Sequence, residues 1–343
     1  MSRPTLQSIA DRVGVSRMTV SNAFSRPDQL SSDLRDRILA VAAEVGYRGP
    51  DPSARSLATG TSGTIGVLWT QSLRLALSDP VTAGFLGALA DELSADGLAL
   101  TLLPPNVPAH DVAMDAAVAY SSPPHSEALQ WLRGRGVPMV GVDMPWPDGP
   151  RVSIDDRGGA RAAAELLITL GHRRVLLLAQ AGDRLQVDLP LDERVAGWLT
   201  GLGAVKPVVG FVQAFGDNRA TIADLLRRVA PTAVLCVTDL VAAQTFAAAS
   251  ELGLDVPSQL SVIGFDDHPV AAGLGLTTVR QDVDAKGRAA AHLVRQLLAG
   301  TAASDGGGPR KPAGAAELAD VLLPVDLVIR QSTGPAPVGD RAR

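Results

Sequence analysis

From Thr64 onward the chain alternates short runs rich in Val, Ile and Leu with amphipathic stretches, and that alternation leaves few folds open. The runs are TIGVLW, LALTLL, AAVAY, VPMVGVD, RVLLLA, VVGFVQ, AVLCVT and SVIGFDD. Between them helices are expected over Val81 to Ala95, near Glu127, over Gly158 to Leu170, through Val195 to Leu202, over Asn218 to Arg228 and over Asp239 to Leu252. Apolar runs this short, separated by helical stretches, read as strands of parallel sheets covered on both faces. Their number is about twice what one six-stranded sheet holds, so two doubly wound α/β subdomains are expected. A helix over Ala285 to Leu298 and the strand pair VLLP and VDLVIR complete the pattern.

The first sixty residues follow a different rule. In Thr5 to Phe24, TLQSIADRVGVSRMTVSNAF, the residues Leu6, Ile9, Ala10 and Val13 recur at i, i+3, i+4 and i+7 and give a first helix one apolar face. Gly14 supplies the backbone freedom of a tight turn, and Val15 plugs the angle between two helices. Ser16 caps the second helix. Val20, Ala23 and Phe24 face inward there, leaving Arg17, Met18, Ser21 and Asn22 outward, a row of side chains suited to base edges in a DNA groove. The spacing alone fits any small helical hairpin equally well. A third helix, begun by Ser31 or Ser32 with Asp33 and closed by Gly46, adds Leu34, Ile38, Val41, Ala42 and Val45 to an all-α head.

Charge agrees with this division. The net charge of −5 over 343 residues hides a head in which eight arginines face six acidic residues, so the remainder carries −7. A surplus of two would not by itself indicate nucleic acid. The single Cys236, in AVLCV, rules out a disulfide framework and suits a reduced cytoplasm. The chain opens MSRPTLQ without an apolar leader, and no apolar run reaches the roughly 18 residues that span a bilayer, so a cytoplasmic protein with no membrane partner is expected. Aromatics are 3% of the chain, which makes the core aliphatic.

Residues 5 to 68 resemble the DNA-binding head and hinge of the LacI/GalR family of bacterial transcription regulators. The matching words are TLQSIADRVGVSRMTVSNAF, VGYRGP, the hinge PSARSLATG and the strand TIGVL. GPDP stands where a shorter Pro-Asn turn is usual, which lengthens Tyr47 to Leu57 by a residue. The resemblance implies operator contacts from Thr5, Ser16, Arg17, Met18, Thr19, Ser21 and Asn22 in the head and from Ala54, Arg55 and Leu57 in the hinge. Leu57, an ordinary linker leucine on its own terms, becomes the wedge that two subunits press into the minor groove, where unstacking costs a few kcal/mol per step. Nine hinge residues are too few to hold a helix in water, so this segment is expected to fray without DNA.

By the same resemblance the rest is a periplasmic-binding-protein-like core that dimerises. The division expected is a head over 1–50, hinge and linker over 51–62, and a core over 63–331. Within the core, one subdomain takes about 63–156 and 284–323, and the other about 157–283 and 324–331. Residues 332–343 are expected to be a disordered tail, and Ala302 to Ala316 a mobile loop. Pro104 to Asp115 is too short for the helix relatives carry there. No leucine heptads follow Ile329, so a tetramerising coiled coil is not expected.

Ligands of such folds sit beyond the carboxyl ends of strands. Arg194 in ERVAGW matches the family's R-x-x-G-W word, and Asp266 in VIGFDD its effector-binding acid. An arginine fork and a carboxylate together suit ligand hydroxyls, although either could be a solvated surface charge. Thr238, Asp239, Asn218, Ser78, Asp79 and Ser121 lie in the right kind of loop and are weaker candidates. Thr238 stands where several relatives carry Asn, and Asn218 where some carry an aromatic platform.

Enzyme readings find little support. GLG at Gly201 lacks the third glycine of a dinucleotide fingerprint and follows a helix, and there is no P-loop, G-x-S-x-G elbow or zinc-spaced Cys/His cluster. His172 in LGHRRV matches a structural word of the family, and no cofactor or metal is implied. The expected function is a homodimeric repressor that binds a palindromic DNA operator and is switched by a small-molecule effector such as a sugar or nucleoside. A solute-binding protein or enzyme on the same core, and a regulator answering to a protein partner, stay open.

Overall fold

A computed structural model describes residues 4–49, 51–69, 72–104, 107–122, 126–180, 189–213, 216–302 and 318–338. The chain divides into two compact units, residues 1–63 and 64–343.

In the first unit, α1 (Leu6–Val13) is opened by a reciprocal cap in which the Ser8 amide donates to the Thr5 hydroxyl and the Thr5 amide to Ser8 Oγ. Gly14 ends it in the left-handed region at φ 78°. α2 (Arg17–Ser25) begins at Ser16, whose hydroxyl accepts from the Thr19 amide, and α3 (Ser32–Glu44) follows. Ile9, Ala10, Val13, Val20, Ala23, Ile38 and Ala42 form the core of the head. Phe24 and Tyr47 close its edge, ring edge to ring face at 5.7 Å. The hinge is the helix α4 (Pro52–Thr59). Leu57 on it is 87% exposed, so no burial of this leucine supports a helix too short to persist by propensity alone.

The second unit holds two sheets. In the first, β1 (Thr64–Trp69), β2 (Ala99–Leu103), β3 (Ala116–Tyr120), β4 (Met139–Val142) and β5 (Arg151–Ile154) are parallel, in the order β2-β1-β3-β4-β5. In the second, β6 (Val175–Gln180), β7 (Val208–Val212), β8 (Ala233–Cys236), β9 (Ser261–Asp266) and β10 (Thr277–Gln281) repeat the pattern as β7-β6-β8-β9-β10. The late chain then splits between the sheets: β11 (Val321–Leu323) pairs parallel with β5, and β12 (Val325–Val328) pairs antiparallel with β10.

Helices cover the faces, as parallel strands require. Around the first sheet lie α5 (Leu73–Ser78), α6 (Pro80–Ser94) and α7 (Glu127–Gly134). Around the second lie α8 (Asp156–Thr169), α9 (Leu189–Leu202), α10 (Arg219–Val229), α11 (Asp239–Glu251) and α12 (Pro269–Leu274). The long α13 (Val283–Ala302) returns to pack on α6 and the first sheet, with Ala290, Ala291, Val294 and Leu297 in that core. Between β2 and β3 the described residues hold a single 3-10 turn, Ala109–Asp111, and no full helix.

α8 and α9 pack closely at two glycines. A Cβ on Gly197 would stand 2.3 Å from the Arg157 carbonyl oxygen, and one on Gly201 2.4 Å from that of Arg161. The GLG word therefore serves helix packing.

The tail corrects an expectation. Residues from 332 were read as disordered, yet Ser332 and Ala336 are buried, and the Ala336 amide donates to the Leu170 carbonyl. His172 Nε2 donates to the Gly334 carbonyl at 3.0 Å, giving this histidine the structural role its sequence word implied. A Gly/Pro-rich composition hides such anchoring because backbone groups make the bonds. Residues 339–343, and 303–316 of the expected mobile loop, lie outside the described residues; Ala302 itself ends α13.

Candidate functional site

On the head, α2 presents Arg17 to solvent and leaves Met18 71% exposed, beyond the apolar cluster that holds the helix. Ser21 and Asn22 are half-buried, and Asn22 Nδ2 donates to Gln29 Oε1 at 3.3 Å. The hydroxyls of Thr5, Ser16 and Thr19 take part in caps: Ser16 Oγ lies 2.8 Å from Thr19 Oγ1. Ala54 and Leu57 are exposed on α4; the side chain of Arg55 lies outside the described residues.

In the core, strand order reverses between β1 and β3 and again between β6 and β8, where doubly wound sheets open a crevice. In the first lobe, Trp69 and Tyr120 end these strands and stack at 4.4 Å. Burial, then Asp143, Asp79 and Asp266, push the Tyr120 phenol well above its usual range, so carboxylates of both lobes bear on one ring. In the second lobe, Arg194 on α9 is 6% exposed and lies on the Phe265 ring, Cζ 3.6 Å from its centroid. Arg194 Nε donates to Asp156 Oδ1 at 2.8 Å, Nη1 to the Val237 carbonyl at 2.7 Å and Nη2 to Asp266 Oδ1 at 3.2 Å.

The two aspartates of VIGFDD part company. Arg280 and Arg330 clamp the Asp267 carboxylate at 2.7 and 2.6 Å and, against the effect of its burial, hold it below the usual carboxylate range. Asp266 instead receives Arg194 and, at 2.8 Å, Gln281 Nε2; burial raises its carboxyl against the pull of Arg194. Burial likewise lifts Asp156 to about 6. For Arg194, burial acts to lower the guanidinium, and Asp266 and Asp156 more than reverse it, so it stays charged.

Ser121, Asp143, Asp266 and Asp267 all have positive φ, of 42°, 50°, 107° and 54°, in the turns that leave β3, β4 and β9. Left-handed backbone at non-glycine residues is costly and clusters where a site demands particular directions.

The weaker candidates fare unevenly. Asp79 caps α6 through the Val81 and Thr82 amides, and its charge helps raise the Asp266 carboxyl and the Tyr120 phenol. Ser121 adjoins Tyr120, and its amide donates to the Val142 carbonyl. Asn218 is buried and spent within its own loop, exchanging bonds of 2.8 Å with the Gln213 amide and carbonyl. Thr238 caps α11. Asp239 is fully buried and accepts from Thr278 Oγ1 and the His268 amide, both at 2.7 Å. Burial and the nearby Asp266 carry its carboxyl to about 8. Asn218, Thr238 and Asp239 thus have internal partners, which a loop position in sequence could not reveal. Ser78 is exposed at the end of α5.

Sequence reasoning missed the residues that join the lobes. Gln281, at the end of β10, donates to Asp266 and accepts from Lys286 Nζ at 2.6 Å. Lys286, in the first turn of α13 and 1% exposed, also donates to Asp143 Oδ2 at 2.5 Å. One polar chain therefore runs Asp156, Arg194, Asp266, Gln281, Lys286, Asp143. Lys286 is one of only three lysines in the chain, which was the available signal.

Among the described residues no group of His, Cys, Asp and Glu could hold a metal, and no helix is long and apolar enough to cross a membrane.

A helix-turn-helix head and a two-lobed, periplasmic-binding-protein-like core with a polar crevice define a DNA-binding regulator. Comparison with known proteins agrees. The family of bacterial regulatory proteins, lacI family, matches residues 5–49, and the periplasmic binding protein-like domain matches 164–333. An HTH-type transcriptional regulator of Mycolicibacterium smegmatis is 36% identical and covers 85% of this chain and 90% of its own. The regulator IpsA of Corynebacterium glutamicum is 35% identical, covering 86% and 91%. Among solved structures, a transcriptional regulator CelR–cellobiose complex matches at TM-score 0.67 and 25% identity over 96% of this chain and 100% of that one. The lac repressor dimer bound to operator shares the fold at TM-score 0.76 and 24% identity, over 97% and 100%. The chain belongs to the LacI family and is a transcriptional regulator.

Proposed function

We propose that this protein is a homodimeric, cytoplasmic repressor without enzymatic activity, which binds a palindromic operator and is switched by a small molecule in the crevice of its core. The observation that carries the reading is the polar chain in which Arg194 and Asp266 of one lobe are joined, through Gln281 and Lys286, to Asp143 of the other. A ligand held by both lobes has different affinity for open and closed forms, and only such a difference shifts an equilibrium. Relatives named as regulators, and a CelR structure containing cellobiose, support a polyhydroxy effector.

Arg194, Asp266, Asp79 and Ser121 form the effector site in this reading. Thr238 and Asp239 shape it from behind, while Ser78 and Asn218 lie at its margin. On DNA, Arg17, Met18 and Asn22 set base preference, Thr5, Ser16, Thr19 and Ser21 contact the groove or backbone, and Ala54, Arg55 and Leu57 enter the minor groove. In domain terms, the head takes 1–50, the hinge 51–62 and the core the residues from 63 on, the anchored 332–336 included.

Selection from randomised duplex DNA tests the reading. A palindrome should be enriched, and Arg17→Ala should relax choice at one symmetric position, costing about 1–3 kcal/mol there. Uniform weakening across all sequences would make Arg17 a phosphate contact. No enrichment, or sedimentation as a 35.5 kDa monomer at micromolar concentration, would overturn the operator-binding dimer.

A further inference from the structure

Lys286 and Asp143 meet at the carboxyl ends of both sheets, Lys286 from the helix that returns to the first lobe and Asp143 from the turn after β4. Both are buried, and each leaves something unfilled. Asp143 Oδ1 is buried without a hydrogen-bond partner among the described residues. Lys286 has three N–H donors and two acceptors, Asp143 Oδ2 and Gln281 Oε1, so among the described residues one donor is spare. An unfilled buried acceptor is expensive. A single alcohol group answers both, since a hydroxyl accepts from an ammonium while donating to a carboxylate.

The surrounding charge narrows the ligand further. Asp143, Asp156 and Asp266 share this crevice with two cations, Arg194 and Lys286, both already paired, and Asp79 adds its field to Asp266. A phosphate monoester would bring about −1.5 to −2 further charge and, among the described residues of the polar chain, meet only Arg194 and Lys286, both already paired. Bringing like charge into a buried, acidic setting costs binding energy.

We propose that the Lys286–Asp143 pair is a hydroxyl-recognition subsite that determines effector specificity, admitting an uncharged polyol and excluding phosphate esters. The inference rests on the crevice being the effector site. It adds a residue no helical or strand pattern marks, and it places one alcohol of the effector between the lobes. Gln281 ties that subsite to Asp266 and Arg194, so the two ends of one polyol bind a continuous polar chain.

Thermal-shift titration of the full chain tests it, with ribose, xylulose, glucose, cellobiose, sorbitol and adenosine set against phosphate monoesters of the same compounds. Stabilisation is expected only from the uncharged set. The compound that binds is then titrated by calorimetry into Lys286→Met and into Lys286→Met/Asp143→Leu, the second removing both charges of the pair so that neither is stranded. At least a tenfold loss of affinity in the double variant is expected, with its melting transition retained. Stabilisation by phosphate esters instead, or wild-type affinity in the double variant, overturns the subsite while leaving a small-molecule effector in place. No shift with either set removes the small-molecule reading itself, and this inference with it.

Discussion

Arg194 and Asp156 form a buried ion pair, Nε to Oδ1 at 2.8 Å, in which both side chains are less than a tenth exposed. The same guanidinium holds Asp266, so one arginine compensates two carboxylates. Such an arrangement gives little net stability when intact and is costly when broken, because each stranded charge has lost its water.

Replacing Arg194 by alanine should therefore do more than weaken effector binding. Stability should fall by about 3–5 kcal/mol, the usual cost of stranding a buried charge. Arg194→Lys keeps a cation but neither the fork nor the flat contact with Phe265, so it should fold better and still lose effector affinity. Urea melts beside calorimetry separate the two effects; wild-type effector affinity in Arg194→Lys would remove Arg194 from the binding site.

Asp239 should make the protein less stable as pH rises. Its carboxyl titrates at about 8 when folded, above the ordinary 3.8 of an unfolded chain, so the folded state binds the extra proton between those values. That stabilising contribution is whole at low pH and lost progressively up to and through pH 8. In Asp239→Asn the amide cannot ionise, and the melting temperature should decline less between pH 6 and 9. An identical slope in the variant would show that Asp239 does not titrate there.

Leu57→Ala should leave thermal stability unchanged, because a side chain 87% exposed contributes little burial. Operator affinity should nevertheless drop by roughly tenfold or more, since alanine is too small to hold a base step apart. Effector binding, measured by calorimetry, should survive. Full operator affinity in this variant would make Leu57 an ordinary linker residue.

Gly201→Val tests the helix contact. A Cβ there would stand 2.4 Å from the Arg161 carbonyl oxygen and 2.8 Å from the Ala164 Cβ, so α8 and α9 must separate. Overpacking of this kind costs about 1–3 kcal/mol. Denaturant melts should show that loss, and an unchanged midpoint would mean the helices shift apart freely.

The head was legible in its sequence because everything that shapes it is local. Caps at Thr5 and Ser16, the left-handed turn at Gly14 and apolar spacing from Leu6 to Val13 act within a few residues of one another. The strand and helix alternation of the core was legible for a related reason: strands buried on both faces are apolar throughout, whatever they pair with. Shorter pieces escaped. α5, α12 and the four residues of β5 are too brief for periodicity to register.

Arg194 and Asp266 could be singled out from the words around them, but not what they touch. Asn218, Thr238 and Asp239 looked like free loop polars, and only folding showed their side chains engaged by Gln213, Val241, Thr278 and His268.

By itself, the sequence determined a three-helix head and two doubly wound lobes, since these follow from propensity, capping and hydrophobic period along the chain, while the hinge was legible only through the resemblance of its words to a known family. Only the tertiary structure decided that Asp143, Asp156, Arg194, Asp266, Gln281 and Lys286 meet, because strands and helices far apart in sequence end at one crevice there. A buried charge needs its partner within a few ångströms but at no fixed sequence separation, so no pattern along the chain could specify the pair that Lys286 and Asp143 make across 143 residues.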